Sequence, residues 1–309
     1  MSIINKEKKK VKLSPVICVA PTGDICGEAV TWSTIENSVY WVDINRFLIH
    51  CLNLEDKSVR SFHFDDAVVA LSLTDVEGQI LVALGSKLIL WDSFTDARQD
   101  LDVALPGTPE VRFNDGRSDP IGNFWIGSMS NNVGPNGEII DIVPGLGKLF
   151  RYNYRKKLEE IEDGIGISNT LCWNVEKTTF YFGDTLKNEI RAYDYDSKNG
   201  NISNGRPFFT GFERGLPDGS AIDKDGYLWN CRYGGACVVR VAPNSEVDCV
   251  IEMPVKNITT CAFGGPDAST LFVTTASAKK DEKDQLAGSL FSIQTDKAGL
   301  PENKVITAI

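Results

Sequence analysis

Four oxygen-bearing side chains stand out in this chain by type and position: Glu28, Asn114, Asn169 and Asp218. Each comes shortly before a short aromatic or apolar run. These runs are Tyr40-Trp41-Val42-Asp43, Phe124-Trp125-Ile126-Gly127, Phe180-Tyr181-Phe182-Gly183 and Leu228-Trp229-Asn230. Two carboxylates and two amide oxygens, if brought together, form a donor set suited to a hard or borderline divalent cation such as Ca, Mg, Mn, Zn or Fe(II). A cation of that kind polarises a carbonyl and activates water. No histidine, serine or cysteine lies in a pattern that would supply a nucleophile instead.

Residues so far apart in sequence can meet only if a repeating architecture places them at equivalent points. Strand-like runs begin at Tyr40, Ile80, Phe124, Phe180, Leu228 and Leu271, with steps of 40, 44, 56, 48 and 43 residues. Short strands at this period, punctuated by Gly, Asn and Asp turns, are the signature of propeller blades. A further strand recurs in each unit, as in Leu48-Ile49-His50 and Leu290-Phe291-Ser292. The chain therefore reads as an all-β, six-bladed β-propeller over residues 11–309, preceded by a frayed tail at residues 1–10. The innermost strand of each blade would line a central channel, and the four polar residues would converge at one mouth of it. The longest step holds an insertion, Ser130 to Gly147, expected to form a loop over one mouth. The stretch Val11 to Ala20 is expected to supply the outer strand of the last blade and so close the ring, removing an open sheet edge.

Composition narrows the function classes. The chain has 309 residues, 42% of them hydrophobic, and a net charge of −10, which argues against nucleic-acid or anionic-membrane partners. No apolar run reaches membrane-span length, and the lysine-rich start lacks the apolar core of a signal peptide. The eight cysteines show no metal-knuckle or redox spacing and read as reduced core thiols of a cytoplasmic protein. The two histidines, His50 and His63, both fall in strand-like segments. The tryptophans recur beside blade strands, where core packing explains them better than carbohydrate stacking. The charge run Lys279 to Asp284 reads as a solvated loop.

The segment from Arg112 to Met129, beginning Arg112-Phe113-Asn114-Asp115-Gly116, resembles the signature of the regucalcin, gluconolactonase and luciferin-regenerating-enzyme family. Gly27-Glu28, Ser168-Asn169 and Leu216-Pro217-Asp218-Gly219 resemble its other motifs, and the likeness runs from about residue 26 to 277. The resemblance implies a six-bladed propeller with one divalent cation held by Glu28, Asn169 and Asp218. It places Arg112 and Asn114 toward substrate, with Asn132 in the region where animal members carry a substrate-side Glu. It implies hydrolysis of an aldonic-acid lactone. Asp218 would accept a proton from the attacking water, with Asp115 as a rival base. The chain departs from the family pattern at Ala29-Val30, at Thr170 where Gly is usual, at Asn131-Asn132, and at Ala236.

The leading expectation is a metal-dependent sugar lactonase acting on a small-molecule sugar lactone, as a monomer or weak homo-oligomer. Hydrolysis of other esters or phosphotriesters on the same metal is a second reading. A non-catalytic cation-binding propeller is a third, since fold does not fix function.

Overall fold

The computed structural model describes residues 11–153, 155–277 and 284–307. The expected tail at residues 1–10 and nearly all of the charge run Lys279–Asp284 lie outside the described residues. Strand β1 (Ile17–Ala20) comes first. The first blade follows with β2 (Gly27–Ser33), β3 (Ser38–Asp43), β4 (Leu48–Asn53) and β5 (Val59–His63). The second has β6 (Val68–Leu73), β7 (Gln79–Leu84), β8 (Lys87–Asp92) and β9 (Arg98–Ala104). The third has β10 (Val111–Ser118), β11 (Phe124–Ser130), β12 (Gly147–Asn153) and β13 (Lys156–Ile165). The fourth has β14 (Ser168–Trp173), β15 (Thr179–Asp184), β16 (Glu189–Asp196) and β17 (Asn201–Thr210). The fifth has β18 (Leu216–Ile222), β19 (Leu228–Tyr233), β20 (Cys237–Val241) and β21 (Val247–Glu252). The last has β22 (Ile258–Gly264), β23 (Thr270–Thr275) and β24 (Leu290–Gln294).

Each blade is a four-stranded antiparallel meander, and the sixth is completed by β1 in the order β1-β24-β23-β22. Ile17 faces Ser292 and Cys18 faces Phe291, so the ring closes through the strand expected from Val16 to Val19. The fold is thus an all-β six-bladed β-propeller. Its helical content among the described residues is one 3-10 turn, Thr185–Lys187, capped by the Asp184 side chain. Among the described residues no helix is long and apolar enough to cross a membrane.

Inner and middle strands are buried almost throughout while outer strands alternate or face water, as for sheets stacked around an axis. Tryptophans pack between blades, and several of their indole N–H groups are held by loop aspartates. Trp41 donates to Asp24 at 2.8 Å, Trp125 to Asp119 at 2.9 Å and Trp229 to Asp223 at 2.9 Å. A buried indole gains from such a partner, and Asp119 and Asp223 stand just before the turns that lead into Trp125 and Trp229; the buried Trp173 indole has no such partner. His50 completes one of these clasps: it lies between Ser61 and Asp24, at 2.7 and 3.1 Å. Both histidines lie in strands, and all eight cysteines are free, as the sequence suggests.

The last stretch of the chain crosses the far mouth of the channel. Leu300 N–H donates to Ile222, Asn303 Nδ2 to the carbonyl of Ser118, Val305 N–H to Leu73 and Ile306 N–H to Gly122. Ile222, Ser118 and Leu73 are the final residues of three inner strands, so this strap ties blades five, three and two together at the end where those strands leave the channel. Glu302 on the strap reaches Arg117 of β10, 3.8 Å apart.

Candidate functional site

The four polar residues all lie in the first half of inner strands: Glu28 in β2, Asn114 in β10, Asn169 in β14 and Asp218 in β18. All four are buried. Their equivalence is looser than the spacing suggests. Glu28 and Asn169 are the last paired residues before a register shift, opposite Val42 and Gly183. Asn114 and Asp218 lie within the corresponding shift, after Phe113 and Pro217. A bulge adds one residue and re-aims the strand, so neighbouring register positions can turn toward the same axis.

Two of the departures from the family pattern, Ala29 and Thr170, fall within these bulges. Ala29 has φ 52° and Thr170 φ 54°, left-handed conformations in which a glycine would sit without strain, and Ala236 is similar at φ 50°. Ala29 is steadied by its N–H, which donates to the Glu28 carboxylate at 3.1 Å. Thr170 donates its hydroxyl to the main-chain carbonyl of Asp218, meets the Ser220 hydroxyl at 2.9 Å, and gives its N–H to the Asp115 carboxylate. Two glycines are required by close approach. A Cβ on Gly219 would come within 2.0 Å of the Thr260 hydroxyl, and one on Gly127 within 1.9 Å of the Ser168 hydroxyl.

The amide orientations separate the roles of the two asparagines. Asn169 Nδ2 donates to Thr185 Oγ1 at 2.8 Å, and the Thr185 hydroxyl donates onward to the carbonyl of Pro217 at 2.8 Å. This turns the Asn169 oxygen the other way, toward Asn114 Nδ2 at 3.4 Å. Asn114 Nδ2 also donates to the carbonyl of Ser168 at 2.9 Å, and its oxygen accepts from Arg112 Nη1 at 2.8 Å. Asn114 is therefore engaged with Arg112, whereas the Asn169 oxygen is met by Asn114 Nδ2 at the long distance of 3.4 Å. Thr185 is a residue that the sequence reading missed. It occupies a turn after an aromatic strand, and nothing in the sequence marks it.

Arg112 is buried and binds neutral oxygens. Its Nε donates to Asn132 Oδ1 at 2.9 Å and its Nη1 also to the carbonyl of Phe113 at 2.7 Å. Burial pushes its guanidinium down to about 10, against the opposing pull of Cys26, Glu28 and Asp66. Asn132 is thus brought to Arg112, and Asn114 as well. Arg112 lines a cavity of about 680 Å³ together with the second-blade segment from Asp65 to Ala67 and the loop that follows β11. That loop is the Ser130–Gly147 insertion. It leaves from the strand end opposite Val111 and Arg112, and so covers the mouth at which the site lies. A smaller cavity of about 150 Å³ lies beside the strap, lined by Arg117, Cys172 and Glu302.

The carboxyl groups of Glu28 and Asp218 share a hydrogen bond, and each is strongly perturbed. Burial, then Asp115, pushes Glu28 up to about 8, against the Ala29 N–H, the Asp218 hydrogen bond and Arg112. Burial, then Glu28 and Asp115, raises Asp218 well above the usual carboxylate range. Asp115 is raised by its own burial, opposed by Arg117 and the N–H groups of Gly116 and Thr170. Two buried acids pressed together, with a third close by, outnumber the two arginines that act on them, Arg112 and Arg117. A divalent cation matches that deficit, and the oxygen-only donors match its hardness. Among the described residues no three His, Cys, Asp or Glu side chains come together as a metal-binding group. Any centre here is therefore of mixed carboxylate and amide type. Cys26 and Tyr233 also belong to this neighbourhood: burial, then Glu28 and Asp218, raises Cys26, and burial, then Cys26, then Asp218 and Glu28, raises Tyr233.

A family described as the SMP-30/Gluconolactonase/LRE-like region matches residues 26–277. The YvrE protein of Bacillus subtilis, provisionally described as a sugar lactone lactonase, is 34% identical over 288 residues, covering 91% of this chain and 94% of its own. A 6-deoxy-6-sulfogluconolactonase of Pseudomonas putida is 29% identical over 291 residues, covering 92% of this chain and 96% of its own. Among solved structures, a calcium-binding protein, regucalcin, of Agrobacterium tumefaciens superposes with a TM-score of 0.85 at 27% identity, covering 94% of this chain and 97% of that one.

Proposed function

Because this chain belongs to the SMP-30/gluconolactonase/LRE-like family, we propose that it is a metal-dependent lactonase that opens a sugar lactone to the corresponding sugar acid. One observation carries the reading: two buried, hydrogen-bonded carboxyl groups and the oriented Asn169 oxygen lie at the same mouth as Arg112 and its cavity of about 680 Å³. Relatives named as lactonases support the reaction class, and the calcium-binding regucalcin neighbour supports a cation.

In this reading Glu28, Asn169 and Asp218 hold one divalent cation. When bound, it supplies Lewis acidity toward the carbonyl oxygen and acidifies water. The chain's own groups do the rest. Arg112 and Asn114 orient the lactone by its hydroxyl and carbonyl oxygens, with Asn132 holding the Arg112 fork. Asp218 accepts a proton from the water that attacks the carbonyl carbon. As the ring C–O bond breaks, the proton passes to the departing ring oxygen, leaving a hydroxy acid. Asp115, engaged by Thr170 N–H, is the reserve base in this scheme.

We further infer that residues 11–309 act as one propeller domain, as a monomer or weak oligomer. The eight free cysteines support a reducing, cytoplasmic setting. The test is a panel of aldonolactones assayed with metal-free protein and with Ca, Mg, Mn, Zn or Fe(II) restored. Rates above spontaneous hydrolysis only in the restored samples are expected. No rate above that background with any cation would overturn the reading.

A further inference from the structure

The cavity beside Arg112 is two-faced. Arg112, Asp65, Asp66, Ser86 and Asn131 supply polar groups on one side, while Phe47, Val111, Val133 and Ile140 supply apolar surface on the other. The hydroxyl rim of a sugar ring gains nothing from that apolar surface, and a single ring fills only part of about 680 Å³. The apolar face continues outward along the insertion loop, where Ile139, Ile140, Ile142, Val143 and Leu146 are all exposed. Such a contiguous exposed run beside a cavity calls for an explanation. The loop is tied to the reactive end of the site. Ile140 N–H donates to the carbonyl of Asn132 at 2.9 Å, and the Asn132 side chain accepts from Arg112 at 2.9 Å. Val143 N–H donates to the Ser130 hydroxyl at 2.8 Å, which anchors the far side of the loop to β11.

We propose a further activity: hydrolysis of lactones that carry an alkyl chain on the ring, the ring lying at Arg112 and the chain along Phe47, Val111, Val133 and Ile140 toward the exposed edge of the loop. The proposal rests on the lactonase reading of the same site. The step is the same: water adds across the ring ester, the carbonyl carbon gaining hydroxyl and the ring oxygen leaving with a proton. No co-reactant other than water is needed.

The experiment compares δ-hexalactone, δ-octalactone, δ-decalactone and δ-dodecalactone with glucono-δ-lactone on the metal-restored protein. The ring is constant across the alkyl series, so chain contact is the variable. Burial of each methylene is expected to raise kcat/KM about two- to fourfold, making the ratio of δ-decalactone to δ-hexalactone on the order of tenfold or more. In the double variant Val133→Asn, Ile140→Ser the same ratio should fall toward one. Because the ratio is taken within one protein, general damage from the substitutions cancels. A ratio near one in the unaltered protein, with glucono-δ-lactone still hydrolysed, would overturn this proposal and leave the sugar lactonase reading standing. A ratio that persists in the double variant would also overturn it, since the chain would then be seated elsewhere. Failure of every lactone would overturn both.

Discussion

The Thr170 hydroxyl, on the innermost strand of the fourth blade, donates to the main-chain carbonyl of Asp218 on the fifth. The contact joins two neighbouring blades at the residue proposed to act as both ligand and base. It depends on a β-branched residue held at φ 54°, a conformation such residues rarely adopt.

Thr170 therefore offers a test in which strain and hydrogen bonding pull apart. Thr170→Ala keeps the unfavourable backbone and loses the hydroxyl, and should cost about 1 kcal/mol or more of stability. Thr170→Gly loses the same bonds but relieves the backbone, and should be the more stable of the two variants in denaturant unfolding. Equal midpoints would show that the backbone there carries no strain.

Asp218→Asn keeps an oxygen for the cation but removes the basic charge. Turnover should fall about 10²- to 10⁴-fold, the usual worth of general-base assistance, while bound metal falls much less. Metal content by elemental analysis, alongside kcat above the spontaneous rate, separates the two. A metal-loaded variant with unchanged turnover would shift the base role to Asp115.

Arg112 hydrogen-bonds to Asn114, Asn132 and a carbonyl, with no carboxylate among these partners. Arg112→Ala should raise KM or lower kcat for the lactone and leave metal content intact. Parallel loss of metal and activity would instead assign Arg112 a structural role.

Metal removal should expose the strain between Glu28 and Asp218. In the metal-free protein Glu28 binds its proton far more tightly folded than unfolded, at about 8 against an ordinary 4.5. Its contribution to stability is thus fully present below 4.5 and lost as pH rises through about 8. The chelated protein should show a falling Tm across that window, and Glu28→Gln should flatten the fall. A cation requires ionised carboxylates, so metal binding should tighten over the same range. A pH-independent Tm in chelated protein would contradict the pairing.

Much of this molecule is readable in its sequence because burial imposes the pattern. The aromatic runs at Trp41, Trp125 and Trp229 mark middle strands whose residues are buried on both faces. Val16 to Val19 reads as a closing strand because the sixth repeat lacks a fourth. The polar residues at the channel were visible as types, but not the bulges that set Asn114 and Asp218 one register position apart from Glu28 and Asn169. A bulge is a backbone event, and here Ala29 and Thr170 stand where glycine would have announced it. Thr185 and the strap at Leu300–Ile306 were invisible for a related reason. Each acts through single hydrogen bonds to main-chain atoms of other blades, and such contacts impose no periodicity.

The pairing of Ile17 with Ser292 fixes the order in which the molecule can be completed. Strand β1 must wait, unpaired, until β24 has been synthesised. Five blades can form as local meanders during synthesis, but the sixth joins β1 to β22, β23 and β24, made long after it. Until then two edges stand open, and the channel mouth that gathers Glu28 and Asp218 has no finished wall. Premature termination anywhere before β24 thus yields an open arc with exposed strand edges, prone to associate with its own kind, rather than a smaller working protein.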